Sequence, residues 1–431
     1  MTTPAQTTVF LAPASPPFAP HLGTIYTWCL LDAGARAYRY LGGTAVVPEA
    51  WSLSSRRLDE QLTDTDDHSR EHRYRSMVAA AITTARSIQA RFGITTDAEP
   101  ALRDDEPSVR AAIAAAVLEL VDEGAITRTT VAEQWCDPCG IALPTTATRQ
   151  SCFRCHQPMV VRERADWFLT LDFPTILARA TQTQWRPPYA LHRFRDLTEV
   201  NPQVRVGHFG RLIGITSPLD ERQMLDPRLV AALYPRMLYA RGYRRIVAAC
   251  GQDIQRKWLT LIYAAAGPTP ALHTIINHGV LLAEGRHKMS RYDGATPADL
   301  PEAADPIAYR AGLLSASLGR DIVAATIAFD DASRLRAKIV NTIRFLQTQP
   351  ESGNHDAIDL RQALGPALDH IDSHLANFDF QRAYMALRGA VRTELSTRLI
   401  PLIRARGSRH GAWAIGRVHA LASIFLGAAR W

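Results

Sequence analysis

Apolar residues in this chain fall into short continuous runs separated by helical-period stripes, and that alternation marks out its elements. Val9, Phe10, Leu11 and Ala12 form an unbroken apolar run, which predicts a buried strand over 8–12. A proline-rich turn from Pro13 to Pro20 follows, then a helical stretch from Ile25 to Tyr40 that Gly42 and Gly43 stop. Thr44 to Val47 reads as a second strand, Ser52 to Tyr74 as a polar, charged loop, and Met77 to Arg91 as a helix. Another helix opens at Pro107, a favourable first-turn residue, and closes at Gly124, with Ile113, Val117, Leu120 and Val121 in one stripe. Later, Arg245 to Ala249 predicts a strand and Ile254 to Ala266 a helix. Thr274 to Leu282 predicts a last strand.

From about Ala303 the pattern is helical to the end, with a linker-like break at Gln347–Asp356 that contains Pro350 and Gly353. In the final stretch, Ala414, Val418, Leu421, Phe425 and Ala428 share one helical face. Arg417, His419 and Arg430 interrupt it, so it reads as a docked helix rather than a membrane span.

Composition narrows this picture only moderately. A chain of 431 residues, 47% hydrophobic and 21% charged, has room for two or three domains of ordinary globular type. The net charge of +7 permits a polyanionic partner without demanding one. Its placement is uneven. Arg388, Arg392, Arg398, Arg404, Arg406, Arg409, Arg417 and Arg430 face the single acid Glu394, either as a phosphate-tracking surface or as a solvated helix face. No secretory leader is visible, and four of the six cysteines cluster, which points to metal binding in a reducing compartment. A cytoplasmic location is expected, and a monomer is favoured.

Three motifs carry chemistry. Cys136-x-x-Cys139 and Cys152-x-x-Cys155 have the spacing of two hairpins that wrap one zinc ion in four thiolates, a closed and therefore structural shell. Cys29 and Cys250 sit in apolar surroundings and read as core. His21-Leu22-Gly23-Thr24 lies between a strand and a helix, where backbone N–H groups and a positive dipole end gather. Arg286-His287-Lys288-Met289-Ser290-Arg291 is a cationic loop able to close over a polyphosphate.

In this order and at this separation, the last two motifs resemble the two signature motifs of the class I aminoacyl-tRNA synthetases, the resemblance running from about residue 8 to about 345 and being strongest to the methionyl branch. The resemblance implies an α/β fold: a Rossmann-like, doubly wound parallel catalytic domain with a zinc-knuckle insertion, followed by a C-terminal α-helical bundle. The corresponding boundaries are 1–130 and 176–300 for the two catalytic halves, 131–175 for the insertion and 301–431 for a shortened anticodon-binding-like bundle. Trp167 to Leu171 resembles the strand that returns from the insertion.

The resemblance also implies a reaction. An amino-acid carboxylate attacks the α-phosphorus of ATP, pyrophosphate leaves, and the aminoacyl-adenylate passes its acyl group to tRNA, with Mg2+ and structural Zn2+ as cofactors. His21 and Thr24 would donate to phosphate oxygens, and Gly23 would let the nucleoside lie against the backbone. Lys288 and Arg291 would clamp the β- and γ-phosphates, with Met289 and Ser290 beside them. Asp253, after Gly251, resembles the acid that holds the ribose hydroxyls, and His278 a residue bordering the nucleotide. Ala12, Glu49, Ser52 and Trp258 fall at substrate-binding positions. The chain departs from the pattern there: Ser52 stands at the place of the ammonium-binding acid, with Glu49 as a shifted substitute, and Trp258 replaces a pocket histidine. These departures open an alternative, a paralogue that passes its acyl group to a small-molecule acceptor, and a more distant one, a non-catalytic tRNA-binding protein.

Overall fold

The computed structural model describes residues 3–12, 20–53, 62, 67–145, 150–152, 154–196, 202–267, 271–282, 288, 305–323 and 329–427. Its centre is a five-stranded parallel sheet in the order Thr44–Val46, Thr7–Leu11, Arg245–Gly251, Thr274–His278, Gln184–Arg186. The strand side chains alternate between two cores, as the two-residue period of a strand requires. Phe10, Val247, Ala249 and Ile276 enter one, while Val9, Leu11, Ile246, Ala248, Cys250 and Ile275 enter the other. Both faces are covered by helices, which is why the strand sequences read as continuous apolar runs.

The first core joins the Leu22–Tyr40 helix to the C-terminal helices. Helix Gly411–Leu426 packs on both Leu22–Tyr40 and Phe329–Gln347, so the expected docked terminal helix is present, seated between the first helix and the C-terminal bundle. The second core holds helices Pro107–Asp122, Pro227–Ala240 and Gln252–Ala265. Cys29 and Cys250 are fully buried, one in each core.

Between the two halves of the parallel sheet the chain builds a separate antiparallel sheet of Ile141–Pro144, Ile126–Cys136, Val160–Thr170 and Gln203–Arg205. Trp167, Phe168, Leu169 and Thr170 lie in its third segment, as expected of the returning strand.

Several local expectations shift. The helix expected from Met77 begins at Asp67, supported on its exposed face by a Glu71–Arg75 pair at the i,i+4 spacing. The last strand ends at His278, because the chain turns at Gly279, where a Cβ would stand 1.9 Å from the Arg320 carbonyl oxygen. Two further residues, Leu281 and Leu282, then pair with Ile322 and Val323. No helix among the described residues is long and apolar enough to cross a membrane.

Candidate active site

In the sheet order the chain turns from one side to the other between Thr7–Leu11 and Arg245–Gly251. In open α/β sheets the crevice beyond the carboxyl ends of such neighbouring strands is where ligands bind. Two helices begin at that edge: Leu22–Tyr40 and Gln252–Ala265.

His21 is the N-cap of the first helix, in extended backbone conformation. Its Nδ1 accepts from the amides of Gly23 at 3.1 Å and Thr24 at 3.3 Å, the task a Ser or Asp side chain usually performs. An accepting Nδ1 carries no proton, so the neutral ring has its proton on Nε2 and presents a donor there. This cap also fixes Gly23: a Cβ would lie 2.9 Å from two atoms of the imidazole. The glycine is required by the histidine that folds over it, before any nucleotide approaches.

One turn further, Thr27 Oγ1 lies 2.8 Å from Nε2 of His278, which ends its strand across the sheet. His278 Nδ1 donates to the Gly279 carbonyl at 2.7 Å, so Nε2 accepts from Thr27, and Tyr26 packs its ring 4.6 Å from the imidazole. Burial pushes His278 down to about 4 against the Gly279 hydrogen bond and the Asp253 charge, which pull it up, with His21 adding the smallest contribution downward. It is a neutral, tautomerically fixed residue. Gly251 separates it from Asp253: a Cβ there would meet Asp253 Oδ1 at 2.6 Å and His278 Cε1 at 3.1 Å.

Asp253 receives Lys288 Nζ at 2.5 Å. Burial alone would raise its carboxyl, but the Lys288 hydrogen bond and charge hold it below the ordinary carboxylate range. His21, Gly23, Thr24, His278, Gly251, Asp253 and Lys288 are thus linked through a continuous series of contacts at one edge of the sheet. Met289, Ser290 and Arg291 lie outside the described residues.

The substrate-position residues behave differently. Ala12 and Glu49 line a cavity of about 20 Å³, room for a single water. Glu49 is held by Arg86 through two hydrogen bonds of 2.8 and 2.7 Å, which lower its pKa. Ser52 is buried, and beside it Asp104 accepts the Leu53 amide at 2.8 Å. Trp258 is a core residue, its indole N–H donating to the Ala231 carbonyl at 3.4 Å between two helices. Sequence reasoning missed Thr27, Tyr26, Arg86 and Asp104. Only Thr27, one helical turn from Gly23, carried a spacing signal.

The four clustered cysteines do converge: their sulfurs lie within 4.8 Å of one another, with Cys136 and Cys152 buried. Tight turns set them there. Gly140 takes a left-handed φ of 63° and donates to the Cys136 carbonyl at 2.8 Å, and the Arg154 amide donates to Cys152 Sγ at 3.4 Å. Hydrogen bonding from Gln157 lowers the Cys155 thiol to about 7. Four thiols at this separation fit one tetrahedral ion.

The arginine-rich C-terminal segment is less one-sided in space than in sequence. Arg388 and Arg392 share Asp331 at 3.1 Å each, Arg417 pairs with Asp372 at 2.6 Å, and Arg398 pairs with Glu394 at 2.6 Å.

No protein-family model and no curated protein sequence matches the chain. Solved structures do. Methionyl-tRNA synthetase of Mycobacterium tuberculosis bound by methionyl-adenylate superimposes with a TM-score of 0.69 at 14% identity, over 98% of this chain and 92% of that one. A second structure of that enzyme in complex with methionyl-adenylate gives 0.69 at 16% identity over the same shares. This chain therefore has the class I aminoacyl-tRNA synthetase fold, in the form seen in methionyl-tRNA synthetase.

Proposed function

We propose that the chain is an adenylate-forming ligase that activates an amino acid with ATP and transfers it to tRNA. The observation that carries this reading is the convergence of His21, His278, Asp253 and Lys288 at the crevice edge, on a fold shared with an enzyme solved with an aminoacyl-adenylate. A carboxylate oxygen attacks the α-phosphorus while the bond to pyrophosphate breaks. Such a displacement needs alignment and positive charge more than covalent help. The Nε2–H of His21 donates to phosphate oxygens, and the helix N-terminus behind it favours the anion. Asp253 takes the ribose hydroxyls, and Lys288 leaves it for the β- and γ-phosphates. Arg291, Met289 and Ser290 would complete the clamp. Mg2+ would enter with the triphosphate. Zinc would sit among Cys136, Cys139, Cys152 and Cys155, where a closed thiolate shell supplies rigidity to the antiparallel sheet and no chemistry.

Methionine is the first acyl donor to try, by resemblance. One observation favours the second reading, transfer to a small acceptor from a less usual donor: Glu49 is already committed to Arg86 and Ser52 carries no charge, so the loop holds no carboxylate ready for an α-ammonium.

Pyrophosphate exchange with a panel of amino acids tests adenylation, and acid-precipitable label on added tRNA tests the acceptor. His21→Ala and Lys288→Ala should each slow exchange about 100-fold or more. Exchange at the unmodified rate in either variant would remove the basis of this reading.

A further inference from the structure

We propose that His370 and His374 form a second metal site, a surface chelate for a divalent transition ion with affinity for imidazole, Ni2+, Co2+ or Zn2+. The site shares no residue with the nucleotide crevice or the cysteine cluster, so it stands or falls separately from both.

The helix Leu360–Leu375 creates the pair. Its buried residues Leu364, Leu368, Ile371 and Leu375 recur at three- and four-residue intervals and join the first core. His370, exposed, and His374, half-buried, share a flank outside that stripe, four residues apart, where side chains are neighbours. The same i,i+4 spacing lets two histidines on one helix face hold zinc in the H-E-x-x-H motif.

The geometry goes beyond the spacing. The two Nε2 atoms stand 3.3 Å apart with the ring planes at 70°, so the nitrogens converge instead of the rings stacking. Two imidazole nitrogens on one tetrahedral ion, each at about 2.05 Å, are separated by roughly 3.3 Å. As a hydrogen bond between two rings that distance is long. An ion can therefore enter with little movement of either side chain.

The backbone beneath is fixed. The His374 carbonyl accepts the amides of Asn377 at 3.1 Å and Asp379 at 3.0 Å. Phe378 then packs on Phe10 of the central sheet, ring centroids 6.0 Å apart, and Arg186 donates to Asn377 Oδ1 at 3.1 Å. The pair thus sits at the end of a helix clamped to the sheet, which lowers the ordering cost of binding. Asp379 and Arg382, the charged groups that act on His374, pair with each other at 3.5 Å. No third His, Cys, Asp or Glu joins the two histidines among the described residues, so water fills the remaining positions. Mg2+, which asks for oxygen ligands, does not suit the site.

Calorimetric titration of the full chain with Ni2+ provides the test, with Mg2+ as the control. One saturable Ni2+ per chain should be present in the unmodified protein and weakened about tenfold or more in His370→Ala and in His374→Ala, no less than loss of an outer-shell partner costs. Ions held by the cysteines remain in both variants and cancel from the difference. Ni2+ should also raise the melting temperature of the unmodified chain and not that of either variant. Equal Ni2+ stoichiometry and affinity in all three proteins, or Mg2+ binding as tightly as Ni2+, would overturn the proposal.

Discussion

Arg310 and Arg205 both sit among carboxylates in the interior, and they differ in how completely the surroundings answer them. Arg310, with no exposed side-chain surface, pairs with Asp32 at 2.6 Å and donates to the carbonyls of Ile424, Phe425, Phe92 and Gly93. Asp32 in turn receives Arg36 and both the amide and hydroxyl of Thr95. Every lone pair and proton there has a partner. Around Arg205 two acids compete for one guanidinium, and a Glu133 oxygen is left over. The first arrangement is a tie that holds the first helix to the last. The second leaves one buried acceptor without a protein partner. Buried charge alone does not make an interior cluster stabilising; completeness of hydrogen bonding does.

The contrast can be broken most forcefully at Arg310. Arg310→Met leaves Asp32 short of its closest cation and should lower unfolding free energy by about 3–5 kcal/mol in urea titrations. The double variant Asp32→Leu/Arg310→Met should recover most of that loss. A small effect of the single change would mean the tie is not structural.

His278 is an intermediate case, buried and fully partnered but neutral. Its pKa is depressed to about 4 from 6.5, so below pH 6.5 the unfolded chain binds the proton and the folded chain does not. Stability should therefore fall as pH drops from 6.5 toward 4, by about 3 kcal/mol in total, and be unaffected above that window. His278→Gln should remove this slope from the stability-versus-pH curve. A slope that persists in the variant would assign it to another group.

The smallest effect belongs to Glu133. Burial raises its carboxyl above the usual range in spite of Arg205, so Glu133→Gln relieves an excess charge and should change stability by no more than about 1 kcal/mol. A loss as large as that of Arg310→Met would erase the distinction between the two arginines.

Much of the fold was legible because its signals are local. Val9 to Leu11, the stripe of Ile113, Val117 and Leu120, and the two Cys-x-x-Cys pairs each announce themselves within a few residues. The edge strand Gln184–Arg186 did not, since three residues with one buried side chain carry no periodicity. Of the site, the linear motifs around His21 and Lys288 could be read, but the partners that fix them could not. Thr27 meets His278 across 251 positions of sequence, and Asp32 meets Arg310 only through tertiary packing. The burial of Trp258 against the Ala231 carbonyl was hidden for the same reason: a helix spacing cannot say which neighbour a side chain will bury against. The arginine-rich tail looked unopposed because Asp331 and Asp372, its counter-charges, lie well upstream.

Asp32 lies on the helix whose first turn presents His21, while the carbonyls that complete its arginine belong to Ile424 and Phe425. During synthesis, that helix emerges early with Arg36 beside its interior acid, then waits for Arg310 and, last, for the Ile424 and Phe425 carbonyls that complete the cluster. A nascent chain, or one clipped by a protease ahead of the last helix, would carry every signature residue and still lack the brace that holds them in position, so competence arrives late and all at once.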